Sequence, residues 1–162
     1  MPIQPGDKIP DATLMMMGDA GPTPIASQDL LGGKTVVLFA VPGAFTPSCS
    51  NQHLPGFVAQ AEALRAKGVD SVVCLAVNDV FVLDAWSKQQ GAGGKVMMVS
   101  DGNGELTKKM GLELDASGLG LGMRTQRYAM LVKDGVVQKL NIEDNPAKAE
   151  QSGADAMLKL LG

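Results

Sequence analysis

The chain has 162 residues, 45% of them apolar and 19% charged, with a net charge of −3, two cysteines, three arginines and one histidine. That length suits one domain, 1–162, with a sizeable core, because a chain near 150 residues buries roughly 70% of its extended surface. The charge balance, without any block of like sign, points to neither a nucleic-acid nor a membrane surface, and so few histidines and cysteines exclude a four-ligand zinc site or a disulfide scaffold.

The opening residues, Met1 to Lys8, lack the basic and apolar regions of a secretory signal. No apolar run approaches the ~20 residues of a membrane span, so the expectation is a cytoplasmic protein. Thr13 to Met17 reads as a short strand, and Ser27 as the cap of a brief helix stopping at Gly32-Gly33. Thr35 to Val41 is almost wholly apolar and rich in β-branched residues, which predicts a strand buried on both faces.

After Pro42-Gly43, Thr46 is a good N-cap and Pro47 suits the first helical position. Phe57, Ala61, Leu64 and Ala66 continue a helical stripe to Gly68, with a kink expected at Pro55, which has no N–H for the carbonyl of Asn51. Ser71 to Val77 is a second buried strand. Asp79 caps a helix carrying Phe81, Val82, Ala85 and Trp86. Val96 to Ser100 is a third strand, followed by a short helix ending at Gly111. Arg127 to Lys133 and Val136 to Ile142 form a hairpin about Asp134-Gly135, and a helix from about Asp155 to Leu161 closes the chain. The order predicts α/β architecture with a mixed sheet.

Chemistry concentrates in Pro42-Gly43-Ala44-Phe45-Thr46-Pro47-Ser48-Cys49, just past the end of a buried strand, where open α/β sheets place their sites. With Thr46 as N-cap, Cys49 lies in the first helical turn, beside unpaired N–H groups and the positive end of the helix dipole. Such a position favours thiolate over thiol, and the Thr46 hydroxyl is placed to donate to the sulfur or to an incoming oxygen. The opposing reading is a small buried hydrophobe near a helix start. Cys74 sits in an apolar strand and reads first as structural.

Two of the three arginines, Arg124 and Arg127, fall just before a buried strand, where a charge needs a partner: a thiolate or a carboxylate. His53, four residues after Cys49, admits two readings, a Cys–His nucleophile pair or a buried, hydrogen-bonded histidine, and the second is preferred because no third orienting group is evident. Gly33-Lys34-Thr35 precedes a strand and Gly118 to Gly122 lacks dinucleotide spacing, so neither is a phosphate loop.

Pro42, Thr46 and Cys49 fit the pattern P-x-x-x-T-x-x-C of the peroxiredoxins, and Val41 to Ser50 followed by His53-Leu54-Pro55-Gly56 resembles their type II members. Val77-Asn78-Asp79, Ala85-Trp86, Ser100-Asp101-Gly102, Arg124-x-x-Arg127-Tyr128 and Asp134-Gly135 extend the resemblance over residues 35 to 140. It implies a thioredoxin-like fold and thiol-dependent reduction of hydrogen peroxide, alkyl hydroperoxides and peroxynitrite, with no metal and no cofactor. It assigns Cys49 as the peroxidatic nucleophile, Arg127 as the arginine on the thiolate, Thr46 as a peroxide ligand and Pro42 as a shield from water. Arg124, Gly43 and Phe45 would support the site or line its pocket. The family also implies a homodimer formed near the active-site loop, with Phe45 and Trp86 as candidate contributors.

The sequence departs from the related atypical two-cysteine class, because Asn141 to Ala156 holds no cysteine. Cys74 stands where type II relatives carry a second cysteine. Two cycles therefore remain: a Cys49–Cys74 disulfide after local unfolding, or release of the Cys49 sulfenic acid by glutathione with glutaredoxin, the latter preferred; thioredoxin is the other candidate reductant. The alternative to an enzyme is a peroxide-sensing module that uses Cys49 without efficient turnover. Thr46 and Gln52 stand where a thioredoxin-type Cys-x-x-Cys would need its second cysteine.

Overall fold

A computed structural model describes residues 2–162. Strands β3 (Thr35–Ala40) and β4 (Ser71–Ala76) run parallel at the centre of a sheet, with Phe39 opposite Cys74. Strand β5 (Met97–Ser100) continues the parallel run beyond β4. On the other side of β3, β8 (Tyr128–Lys133) pairs antiparallel, and β9 (Val136–Ile142) pairs antiparallel with β8. Strands β1 (Thr13–Gly18) and β2 (Gly21–Ala26) complete a seven-stranded mixed sheet in the order β2-β1-β5-β4-β3-β8-β9.

Alternation along the strands divides the core into two layers. Val37, Phe39, Val41, Val72 and Cys74 face one layer with Phe57 and Leu64 of α2 (Leu54–Ala66), Leu83 and Trp86 of α3 (Val80–Gln90), and Met157 of α5 (Ala154–Leu160). Val36, Leu38, Val73 and Leu75 face the other with Leu30 of α1 (Ser27–Leu31) and Leu106 and Met110 of α4 (Glu105–Met110). Strands β3 and β4 are uniformly apolar because both of their faces are covered.

Three local expectations change. Ser27 is the first residue of α1 and not its cap: its hydroxyl donates to Pro10 O at 2.9 Å and accepts from Ala12 N at 3.0 Å, tying the N-terminal segment to the fold. Strand β2, absent from the elements expected above, carries Pro22 and Pro24 and lies at the sheet edge, where a proline without an N–H is tolerated. Two further short strands, β6 (Glu113–Asp115) and β7 (Met123–Thr125), pair in a separate antiparallel ribbon beside the site.

The helix at Cys49 is the fourth departure. Residues Cys49–His53 form a π turn in which Leu54 N–H reaches back five residues to Cys49 O, and α2 begins only at Leu54. Pro55 therefore falls in the first turn of α2, where its missing N–H is tolerated, and the expected kink takes the form of a widened turn before it.

Candidate active site

The loop after β3 is built by contacts from neighbouring strand ends. Ala44 N donates to Asn78 Oδ1 at 2.9 Å, just beyond β4, and Ser100 Oγ at the end of β5 donates to Asn78 O at 2.5 Å. Phe45 takes a left-handed conformation, φ 65°, which turns the loop sharply into the helix. Ser50 N donates to Thr46 O at 2.9 Å, so Thr46 is the residue at which the helical bonding begins, as its sequence position suggested. Its hydroxyl, however, donates to Gly43 O at 2.6 Å, so the Thr46 proton is spent within the loop and its oxygen is left as an acceptor.

Cys49 follows, wholly buried, with Arg127 Nη2 donating to its sulfur at 3.1 Å. The guanidinium is held on two other sides: Nε donates to Pro146 O at 2.9 Å and Nη1 meets His53 Nδ1 at 2.9 Å. Arginine has no acceptor, so Nδ1 must carry the lone pair, and the His53 proton sits on Nε2, which donates to Ser152 O at 2.8 Å. Burial, and then the Arg127 charge, push the His53 pKa down to about 3. His53 is thus neutral and turned towards Arg127, which answers the sequence question against a Cys–His nucleophile pair. The partner Arg127 required is the Cys49 sulfur and not a surface carboxylate.

A cavity of about 580 Å3 opens above this arrangement, lined by Pro42, Thr46 and Arg127 together with Pro47, Leu114, Leu119, Leu121 and Pro146. Its wall is mostly apolar, and Leu119 is 81% exposed at the rim. Asp115 also borders it, its carboxylate accepting from Ser117 N and Oγ, which draws its pKa down. Ser48 and Ala147, both in the lining, are joined by a bond from the Ser48 hydroxyl to Ala147 O.

Other residues singled out in the sequence lie around this centre. Gly43 is packed in the loop: a Cβ there would come within 3.2 Å of Thr46 Cγ2 and 3.4 Å of Arg124 Nη1. Arg124, on β7, donates through Nε to Leu121 O at 2.9 Å within its own segment, while its Nη1 lies beside Gly43. Phe45 is not part of the cavity lining; it is about half exposed, with its ring 6.4 Å from Trp86. Cys74 is a buried free thiol in the same core layer as Cys49, and burial, above all, raises its pKa.

Sequence reasoning missed Pro146, Ser152, Glu143 and the bracing role of Asn78. The first three lie in an irregular segment that returns to the site from about 100 residues away. Asn78 left a signal, since it follows the neighbouring parallel strand.

An arginine fixed on a buried cysteine sulfur at a helix start, beneath an apolar cavity, defines a thiol redox site. The Redoxin family model matches residues 4–158. Peroxiredoxin-2E, chloroplastic, of Arabidopsis thaliana is 50% identical over 98% of this chain and 69% of its own length. Peroxiredoxin-2B of the same plant is 45% identical over 99% of both. The reduced Prx3 of Vibrio vulnificus in complex with hydrogen peroxide superposes with a TM-score of 0.94 at 46% identity, covering 99% of each chain. The chain belongs to the peroxiredoxins, of the type II kind, with their thioredoxin-like fold. It is a thiol-dependent peroxidase.

Proposed function

We propose that Cys49 is the peroxidatic nucleophile and that the whole of 1–162 acts as one catalytic domain. The observation that carries this is the 3.1 Å bond from Arg127 Nη2 to Cys49 Sγ at the floor of the cavity. The Cys49 thiolate attacks one peroxide oxygen; the S–O bond forms, the O–O bond breaks, and the departing oxygen leaves as an alcohol or water after taking up a proton. Sulfur is oxidised to the sulfenic acid and the peroxide is reduced. Arg127 steadies the thiolate and the leaving oxygen, the Thr46 oxygen accepts a hydrogen bond from the peroxide O–H, and Pro42 walls the site from water. Arg124 and Gly43 hold the loop in shape. The apolar wall favours alkyl hydroperoxides as well as hydrogen peroxide; peroxynitrite is a further substrate of this reading.

The sulfenic acid is released by a thiol: glutathione condenses with it, losing water, and glutaredoxin reduces the mixed disulfide. Thioredoxin is the competing reductant, and Cys74 the competing resolving thiol. Because Cys49 is wholly buried, either route requires its turn to open. A homodimer through the exposed Phe45 loop and a cytoplasmic location complete the proposal. Among the described residues, no helix is long and apolar enough to cross a membrane.

Peroxide consumption with glutathione–glutaredoxin and with thioredoxin, offered separately, tests the reading. Cys49→Ser should abolish turnover with both, and Cys74→Ser should retain turnover with glutathione and glutaredoxin. Turnover in Cys49→Ser would refute the nucleophile, and its loss in Cys74→Ser would refute the one-cysteine cycle.

A further inference from the structure

Arg127 and Glu143 are joined twice. Their backbones pair directly, Glu143 N donating to Arg127 O at 2.9 Å as the β8–β9 ladder runs out. Their side chains are joined by a longer path. Glu143 Oε2 accepts from both the N–H and the hydroxyl of Ser152, each at 2.6 Å; Ser152 O accepts from His53 Nε2, and His53 Nδ1 accepts from Arg127 Nη1. The ring closes on the guanidinium that touches Cys49.

Glu143 is only 8% exposed and takes part in neither of the ion pairs found among the described residues. A carboxylate buried without a cation is costly unless its hydrogen bonds are made, and here one oxygen takes both donors of a single residue. That residue presents the carbonyl which selects the His53 tautomer. With Ser152 displaced, His53 loses the acceptor that keeps its Nδ1 lone pair on Arg127.

We propose that Glu143 is a positioning residue for the peroxide reaction, holding Arg127 against Cys49 by way of Ser152 and His53. The inference rests on the roles assigned above to Cys49 and Arg127. The groups facing His53 are the Arg127 guanidinium, the Ser152 carbonyl and the rings of Phe39 and Phe57.

The test is single-turnover reduction of hydrogen peroxide by the full chain, paired with the ratio of iodoacetamide labelling rates of Cys49 at pH 6 and pH 8. In Glu143→Ala the peroxide rate should fall about fivefold to tenfold, in line with misplacement of a reacting group, and the labelling ratio should fall with it. Glu143→Gln, which keeps an acceptor for both Ser152 donors, should recover most of the loss. In a His53→Gln background Glu143→Ala should cost nothing more. A folded Glu143→Ala protein with the wild-type rate and labelling ratio overturns the proposal, as does an additive loss in the His53→Gln background or a Glu143→Gln protein as slow as Glu143→Ala. Should Glu143→Ala not fold, Glu143→Asp decides: a several-fold loss supports positioning and a wild-type rate refutes it. Retained activity in Cys49→Ser would instead bring down the nucleophile assignment itself.

Discussion

Arg127 donates to the Cys49 sulfur at 3.1 Å while two other edges of the same guanidinium are fixed by Pro146 O and His53 Nδ1. The fork is therefore set before any substrate arrives, and Arg127 borders the cavity. A donor fixed in this way strengthens as charge develops in the transition state, because no reorganisation is needed at the moment of reaction.

Replacing Arg127 by Ala should lower the second-order rate constant for peroxide at least about tenfold, given the usual loss of 10²–10³ for one such donor. Arg127→Lys should remain impaired, since an ammonium cannot make three bonds in the planar pattern that the site demands. Stopped-flow peroxide consumption checks both variants. A lysine variant at the wild-type rate would show that charge alone suffices.

His53 makes a prediction about stability. In the unfolded chain it titrates near 6.5, and in the folded protein at about 3. Between these values the unfolded state binds the extra proton, so acid favours unfolding. The contribution is complete above pH 6.5 and is lost as the pH falls towards 3, with a slope of up to about 1.4 kcal/mol per pH unit. Urea unfolding at pH 5 and pH 6.5 should show it in Cys49→Ser, a background without the reactive thiol. His53→Gln in that background should flatten the dependence; an unchanged slope would mean that another group carries it. His53 is the sole histidine, which makes the comparison clean.

Much of this centre was legible because its parts are local in sequence. Thr46, Pro47 and Cys49 announce a helix start after a buried strand, and Arg127 announces a buried charge in need of a partner. The π turn was not legible as such: Pro55 signalled disruption, but its form depends on how the widened turn packs beneath Phe39 and Phe57. The side-chain ring through Glu143 and Ser152 was invisible for another reason. Those residues are polar, lie in an irregular segment, and acquire meaning only when the chain returns to His53. Likewise, Phe45 reads as a pocket residue from its place in the motif, whereas its positive φ turns it away from the cavity and towards Trp86.

Trp86 offers a way to watch the site open. Its Nε1 donates to Ser50 Oγ at 3.0 Å, inside the turn that carries Cys49, and it is the only tryptophan. Since Cys49 is wholly buried, joining it to a second thiol must displace this turn and break the bond. Peroxide followed by glutathione should therefore shift Trp86 emission in the wild type and leave it unchanged in Cys49→Ser. If emission stays constant while mass spectrometry shows the mixed disulfide, the turn does not open by this route.

The cavity wall predicts a selective effect on bulky substrates. Leu119 stands largely exposed in the lining, with Leu114 and Leu121 half-buried beside it, whereas Arg127 is the lining residue that reaches Cys49. Hydrogen peroxide needs only the floor. An aryl or alkyl hydroperoxide also rests its apolar group on the wall, and lost apolar contact in such a pocket costs specificity in proportion to the methylenes removed. Leu119→Ala should raise the KM for cumene hydroperoxide roughly threefold to tenfold, below the usual range of about 10–200-fold for an enclosed hydrophobic pocket because the side chain is exposed. The rate with hydrogen peroxide should be unchanged. Steady-state assays of the two substrates with the same reductant decide the matter, and an equal loss on both would show that Leu119 acts on the loop and not on the substrate.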